Sequence, residues 1–305
     1  MTRRLGGLAW LLALAGAACG PAAAPVAPPA APTARLGAVL VADPAHGDLV
    51  LFGGRARSGV ERDTWLWEDG RWRRVATPGA PPARSFAAAA ADPDGGALLF
   101  GGDPSDPVGT HDDTWRWDGA RWSELHPATV PDGGAFRTMA QGPDGAPVLV
   151  VFAAGGEVRA WTWRAGDWRA AAGAPPWRDD AALVPDRAAG RLLQVGGMAR
   201  GGQRTGDTWA WDGASWSELR PAHPPGGGPA AVADLVAGPL LYEQDGTWTW
   251  SEGDWTLAQA PGRPRWVPYA ALAAVPGGAE AVLLTGAAGE PGQTWLWAGG
   301  RWTRS

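Results

Sequence analysis

The sequence has no lysine, no isoleucine and no asparagine, and it has a single cysteine. The joint loss of those three residues is the mark of a very GC-rich gene. All 26 basic residues are therefore arginines, and arginine abundance by itself says little about a ligand. Positive charge is also in deficit: 31 acidic side chains leave a net charge of -5 and a pI near 5.4, which gives no support to a nucleic-acid partner, normally marked by a basic footprint. No apolar run is long enough for an ordinary spanning helix, since the stretch from Leu8 to Leu14 falls well short of one. The four histidines, His46, His111, His126 and His223, lie in different turns without metal-ligand spacing. No Gly-x-Ser-x-Gly or phosphate-binding loop occurs. Neither a cofactor nor a metal is expected.

What the chain has in excess is tryptophan, in a fixed pattern. The spacing Trp-x-Trp-x4-Trp starts at Trp65, Trp115, Trp161, Trp209, Trp248 and Trp295, and these six copies account for eighteen of the 21 tryptophans. Most of the chain is thus one repeated unit. Glycine and proline are abundant without a collagen period, which fits many short strands joined by turns.

Two segments precede the repeats. Residues 1–19 read as an export signal, with Arg3 and Arg4 at the start, the apolar Leu8 to Leu14, and the small residues Gly16-Ala17-Ala18 before Cys19. This resembles a bacterial lipoprotein signal, in which the cysteine becomes the lipidated first residue. The pattern departs from the resemblance at Gly16, where leucine is usual. Gly20 follows the cysteine where aspartate would imply inner-membrane retention, so the resemblance implies an outer-membrane or surface anchor. The other reading is an ordinary secretory signal and a soluble exported protein. Residues 20–33 are almost entirely Ala, Pro and Val and form an extended spacer.

From residue 34 the units align. Ala34-Arg35, an apolar run and Ala42-Asp43-Pro44 match Ala83-Arg84, an alanine run and Ala91-Asp92-Pro93. The run ending in Gly53-Gly54 matches the one ending in Gly101-Gly102, and Asp63-Thr64-Trp65 matches Asp113-Thr114-Trp115. Each unit offers four short strands, the size of one blade of a β-propeller. Within the motif, Trp115 and Trp117 share a strand face. Asp118-Gly119 signals a hairpin, and the return strand puts Trp122 on the same face. Each buried indole removes on the order of 200 Å² from water, which at about 25 cal/mol/Å² is several kcal/mol before entropy. The Trp face of one blade is expected to pack on the smaller-residue face of its neighbour. Exposed sugar-stacking platforms are the competing reading, and they would leave six sheets with nothing to bury.

The Gly-Gly, Asp-Thr-Trp and later Trp together resemble the Kelch repeat, whose family fold is a β-propeller. The resemblance covers residues 34–305 and is fullest in units one, two and four, with Gly53-Gly54, Gly101-Gly102 and Gly196-Gly197. Unit three has Ala153-Ala154, unit five lacks the pair near Glu243, and unit six has Gly286-Ala287. The expected fold is all-β, a six-bladed propeller with four antiparallel strands per blade. Its ring closes by blade-to-blade packing without an exchanged strand, and the protein is expected to be a monomer.

In Kelch propellers ligands usually meet the loops between second and third strands, here 53–63, 101–113 and 196–207, and the loops between blades. The latter carry Arg35, Arg84, Arg137, Arg178 and Arg265 ahead of inner strands. Converging on the channel mouth, these five would bind carboxylate or phosphate. Alternatively they pair with Asp63, Asp113 and Asp207 and fix the blades. A copper-radical oxidase of Kelch type needs a cysteine crosslinked to a tyrosine, and here Cys19 lies in the signal while Tyr242 and Tyr269 lie elsewhere. Two functions remain: a membrane-tethered binding or scaffold module for a protein or glycan, and an exported epimerase- or mutarotase-like enzyme using a few carboxylates at the channel mouth.

Overall fold

A computed structural model of the chain describes residues 31–104, 110–132, 134, 136–153, 155–228, 231–258, 262–287 and 290–305. The signal, Cys19 and most of the spacer lie outside these residues. Among them there is no helix; six antiparallel sheets form a six-bladed β-propeller. The inner strands are Val39–Asp43, Ala88–Ala91, Phe136–Gln141, Ala182–Asp186, Ala231–Leu235 and Ala271–Ala274. The sixth blade is completed by its own outer strand, Arg301–Arg304. Among the described residues no strand is exchanged between the two ends of the chain, and the incoming segment adds one bridge, Thr33 to Pro291.

The register explains the tryptophan spacing. Second and third Trp of each unit are direct cross-strand partners, as in Trp67↔Trp72 and Trp117↔Trp122. Blade 1 closes the hairpin with two residues, Asp69 and Gly70, both in the left-handed region (φ 49° and 75°). Blade 2 uses four, with the Asp118 carboxylate accepting the Ala120 and Arg121 amides. The Trp spacing is the same in both.

These indoles close the ring. Trp115, Trp117 and Trp122 pack on Val39, Val41, Val50, Phe52 and Leu66 of blade 1. Trp65, Trp67 and Trp72 pack on Ala271, Ala273, Val282 and Leu284 of blade 6. The same relation, Trp face on the preceding blade, recurs around the circle. The tryptophans are thus packing elements.

A hydrogen bond sets the depth of each contact. The indole N–H of the third Trp donates to a threonine hydroxyl of the preceding blade: Trp72 to Thr294 (2.8 Å), Trp122 to Thr64 (3.1 Å), Trp168 to Thr114 (3.0 Å), Trp255 to Thr208 (3.1 Å) and Trp302 to Thr247 (2.9 Å). Blade 4 is the exception, because the matching residue of blade 3 is Ala160. The Trp216 N–H is buried without a partner. Its ring lies nearly parallel to Trp211 (22°), whereas Trp117 and Trp122 are tilted by 52°. Restoring the acceptor with Ala160→Thr is expected to stabilise the fold by about 0.5 kcal/mol, the low end for a net hydrogen bond because Trp216 is only half-buried. Urea unfolding midpoints check this; an unchanged or lower midpoint contradicts it.

Candidate functional site

Three of the five sequence-selected arginines occupy one repeat position, four residues before the inner strand, and are consumed by neighbours in their own blade. Arg84, 1% exposed, donates to Asp113 through both terminal nitrogens (2.5 and 2.8 Å) and to the Gly101 carbonyl (2.8 Å). Asp113 also accepts the Trp115 indole N–H at 2.6 Å. Arg35, Asp63 and Trp65 repeat the arrangement, as do Arg178, Asp207 and Trp209. Burial alone would raise the Asp113 carboxyl, but the Arg84 bonds and charge, with the Trp115 donor, hold it below the usual carboxylate range. Asp63 and Asp207 are lowered in the same way by Arg35 and Arg178.

The Gly-Gly pairs belong to this device. A side chain on Gly53 (φ 67°) would stand 2.4 Å from the Arg84 carbonyl, and the Gly54 amide donates to that carbonyl at 2.8 Å. Only glycine lets the next blade approach so closely. Blade 3 lacks both features: by register Gly134 stands at the arginine position and Val151-Phe152 at that of the Gly-Gly pair, and Arg159, at the aspartate position, pairs with Asp132 instead.

Arg137 and Arg265 do not share that repeat position, contrary to the sequence alignment. Arg137 is the second residue of the inner strand Phe136–Gln141. Its side chain is 1% exposed and reaches back to blade 2, donating to the Phe86 carbonyl (3.3 Å), Asp103 (3.3 Å) and the Gly134 carbonyl (2.6 Å). Burial lowers its pKa. Arg265 lies six residues ahead of Ala271, exposed and without an ion pair among the described residues. The five therefore form no ring of free guanidinium groups.

A different repeat position forms the channel mouth. Two residues before the inner strand stand Gly37, Phe86, Asp180 and Tyr269 in blades 1, 2, 4 and 6. Gly37 (φ 62°), Phe86 (55°), Asp180 (57°) and Tyr269 (57°) are all left-handed, a conformation that is strained for aromatic residues. They are locked together across the axis. The Phe86 amide donates to the Gly37 carbonyl at 2.7 Å and the Gly37 amide to the Tyr269 carbonyl at 3.1 Å. The Phe86 and Tyr269 rings meet edge-to-face at 5.1 Å. The Tyr269 hydroxyl, on blade 6, donates to Asp180 on blade 4 at 2.9 Å.

This set borders a cavity of about 350 Å³ whose rim adds Asp103, Phe136 and Arg137. Below it the channel narrows at Leu40, Ala89, Met139 and Leu272 and opens into a second space of about 600 Å³ at the other face. There the cation is tied up, Arg187 bonding both Asp234 and Gln141. The mouth combines an apolar floor, three aromatic rings and convergent polar groups, the make-up of a small-ligand site. Burial, with the charge and hydrogen bonding of Asp180 beside it, pushes the Asp179 carboxyl up to about 6. Asp180 is also raised by burial, opposed by the Tyr269 hydroxyl bond.

Among the described residues no group of three or more His, Cys, Asp or Glu side chains is placed to hold a metal. Sequence reasoning missed the mouth because its side chains differ from blade to blade. The available signal was a fixed offset at which Gly, Phe, Asp and Tyr interchange while all around it repeats.

No protein-family profile matches the sequence, and no curated protein sequence matches it. Among solved structures, that of YjhT is similar, with a TM-score of 0.66 at 16% identity, covering 91% of this chain and 99% of that one. At that identity the likeness shows the fold, and the six-bladed β-propeller is the class to which this chain belongs.

Proposed function

We propose that the protein is an exported, lipid-anchored propeller of Kelch type that acts as a monomeric binding module, seating part of a protein or glycan ligand in the channel mouth. The observation that carries this reading is the convergence of Phe86, Asp180 and Tyr269, in strained backbone, on one cavity. Strained backbone gathers at functional sites, and here it is held at a solvent-facing rim by contacts between blades. The anchor reading, through Cys19, fits where the chain enters the ring. Thr33 pairs at Pro291, in the loop between second and third strands of blade 6, on the face that holds the mouth. A spacer of this composition reaches about 3.1 Å per residue, so the mouth would be held within a few nanometres of the membrane and facing it.

The test is amide chemical-shift mapping against a library of small molecules, oligosaccharides and short peptides. Perturbations are expected to concentrate at Gly37, Phe86, Asp103, Asp180 and Tyr269. Hits confined to the opposite face, around Pro276, or to the blade rims would sink the proposal. One observation favours a second reading, an epimerase- or mutarotase-like enzyme: the carboxyl near pKa 6 at Asp179, beside Asp180 and Tyr269, is suited to acid–base transfer near neutral pH. Anomer-resolved NMR on aldoses decides it, since rates equal to buffer refute it.

A further inference from the structure

Resting on the mouth as the ligand site, we infer that the ligand element entering it is an organic ammonium group carried on an apolar body. The argument begins with what the rim presents. Its one cation, Arg137, has its side chain buried, and its two terminal nitrogens are spent on two carbonyls and Asp103. The carboxylates at the rim are Asp103, 39% exposed as a side chain, and Asp180, which accepts from the neutral Tyr269 hydroxyl and has no cation partner among the described residues. Asp103 and Arg137 largely offset each other, which leaves Asp180 as the rim charge with no cation beside it. A carboxylate ligand entering here would meet that like charge, and an ammonium an opposite one.

The aromatic rings point the same way. Of the large hydrophobic side chains left exposed among the described residues, two, Phe136 (38%) and Tyr269 (37%), stand on this rim. With Phe86 they make three aromatic rings around the opening. Rings of this kind attract a cation, and more strongly where water is excluded. Beneath them the wall is Leu40, Ala89, Met139, Val232 and Leu272, with Thr138 as the one polar side chain at that level. An apolar tail has an apolar path along the axis while the charged head remains among rings and carboxylates. The cavity of about 350 Å³ is large enough for a short alkyl or aryl chain.

The experiment titrates the full chain with hexylammonium, hexanol and hexanoate, which share one tail and differ in charge, by calorimetry. Hexylammonium is expected to bind on the order of 10-fold more tightly than hexanol, with hexanoate the weakest. Asp180→Asn should bring hexylammonium down to the hexanol level. Phe86→Leu, which keeps apolar volume and removes a ring, should weaken hexylammonium and leave hexanol unchanged. Near-ultraviolet circular dichroism of both variants establishes that the tryptophan packing is retained. Hexanoate binding as tightly as hexylammonium, or an Asp180→Asn variant that keeps the preference, overturns the inference and leaves the mouth as the site. If none of the three binds while the shift-mapping library does find mouth ligands, the ammonium class alone is refuted. A blank mouth in both experiments refutes the site itself.

Discussion

Replacing Arg84 with methionine is expected to lower stability by about 3 kcal/mol, and Arg265→Gln by less than about 0.5 kcal/mol. The difference follows from what each guanidinium touches. Arg84 is 1% exposed and makes two bonds to Asp113, itself mostly buried, and one to the Gly101 carbonyl. Methionine retains most of the volume but leaves the Asp113 carboxylate and a glycine carbonyl without their donor. An orphaned buried charge is the costly outcome, more so than loss of the pair as a whole. The double variant Arg84→Met with Asp113→Leu should therefore recover part of the loss. Guanidinium-chloride unfolding of the three variants is the check. A loss under 0.5 kcal/mol for Arg84→Met would mean that the pair does not hold the blade, and would return Arg84 to the list of candidate ligand-binding groups.

The pH dependence of the same pair has a definite sign. Arg84 and Trp115 hold the folded-state pKa of Asp113 below its unfolded value. Its contribution is fully present above the unfolded value, about pH 4, and is lost as pH falls through the folded value. Asp63 and Asp207 act in the same direction, so acid unfolding should set in below pH 4. Arg84→Met should flatten that limb.

The blades were legible in the sequence because their determinants are local. Trp-x-Trp reports a strand of period two, Asp118-Gly119 a turn, and the return of Trp122 to the same face follows from cross-strand pairing. The Arg84–Asp113 pair was legible as one of two alternatives, since both residues keep a fixed offset in blades 1, 2 and 4. The threonine acceptors were not, because the hydroxyl that meets Trp122 lies 58 residues away on another blade. Arg137 and Arg265 were misplaced for a related reason. Without strand register, an arginine within a strand and one six residues ahead of it look equivalent to Arg84. The mouth was hidden by its own variability, as Phe86, Asp180 and Tyr269 share a backbone conformation but not a side chain.

That variability sets the division on which the functional reading depends. Repeated side chains such as Trp117 and Arg84 hold blades together, and the variable ones at the mouth are retained at some cost to the fold. Asp179, the neighbour of Asp180 just outside the mouth lining, makes the cost measurable. Burial and the neighbouring Asp180 raise its carboxyl to about 6, above the unfolded value of about 3.9, and its Oδ1 is buried without a hydrogen-bond partner. A raised carboxyl binds its proton more tightly in the folded state. Below the unfolded pKa it is protonated in both states and carries no penalty. As pH rises from 4 to 6 the unfolded chain ionises first, stability falls, and the penalty is complete above pH 6. Because the side chain is partly exposed, solvent screening reduces the full shift to about 1 kcal/mol.

The decisive measurement is the unfolding free energy of Asp179→Asn against the native chain at pH 4 and pH 8. If the Asp179–Asp180 pair beside the mouth is kept for a ligand and against stability, the variant is more stable by about 1 kcal/mol at pH 8 and close to equal at pH 4. A variant that is less stable than the native chain at pH 8 would show that Asp179 holds the fold, and would contradict the assignment of function to the channel mouth.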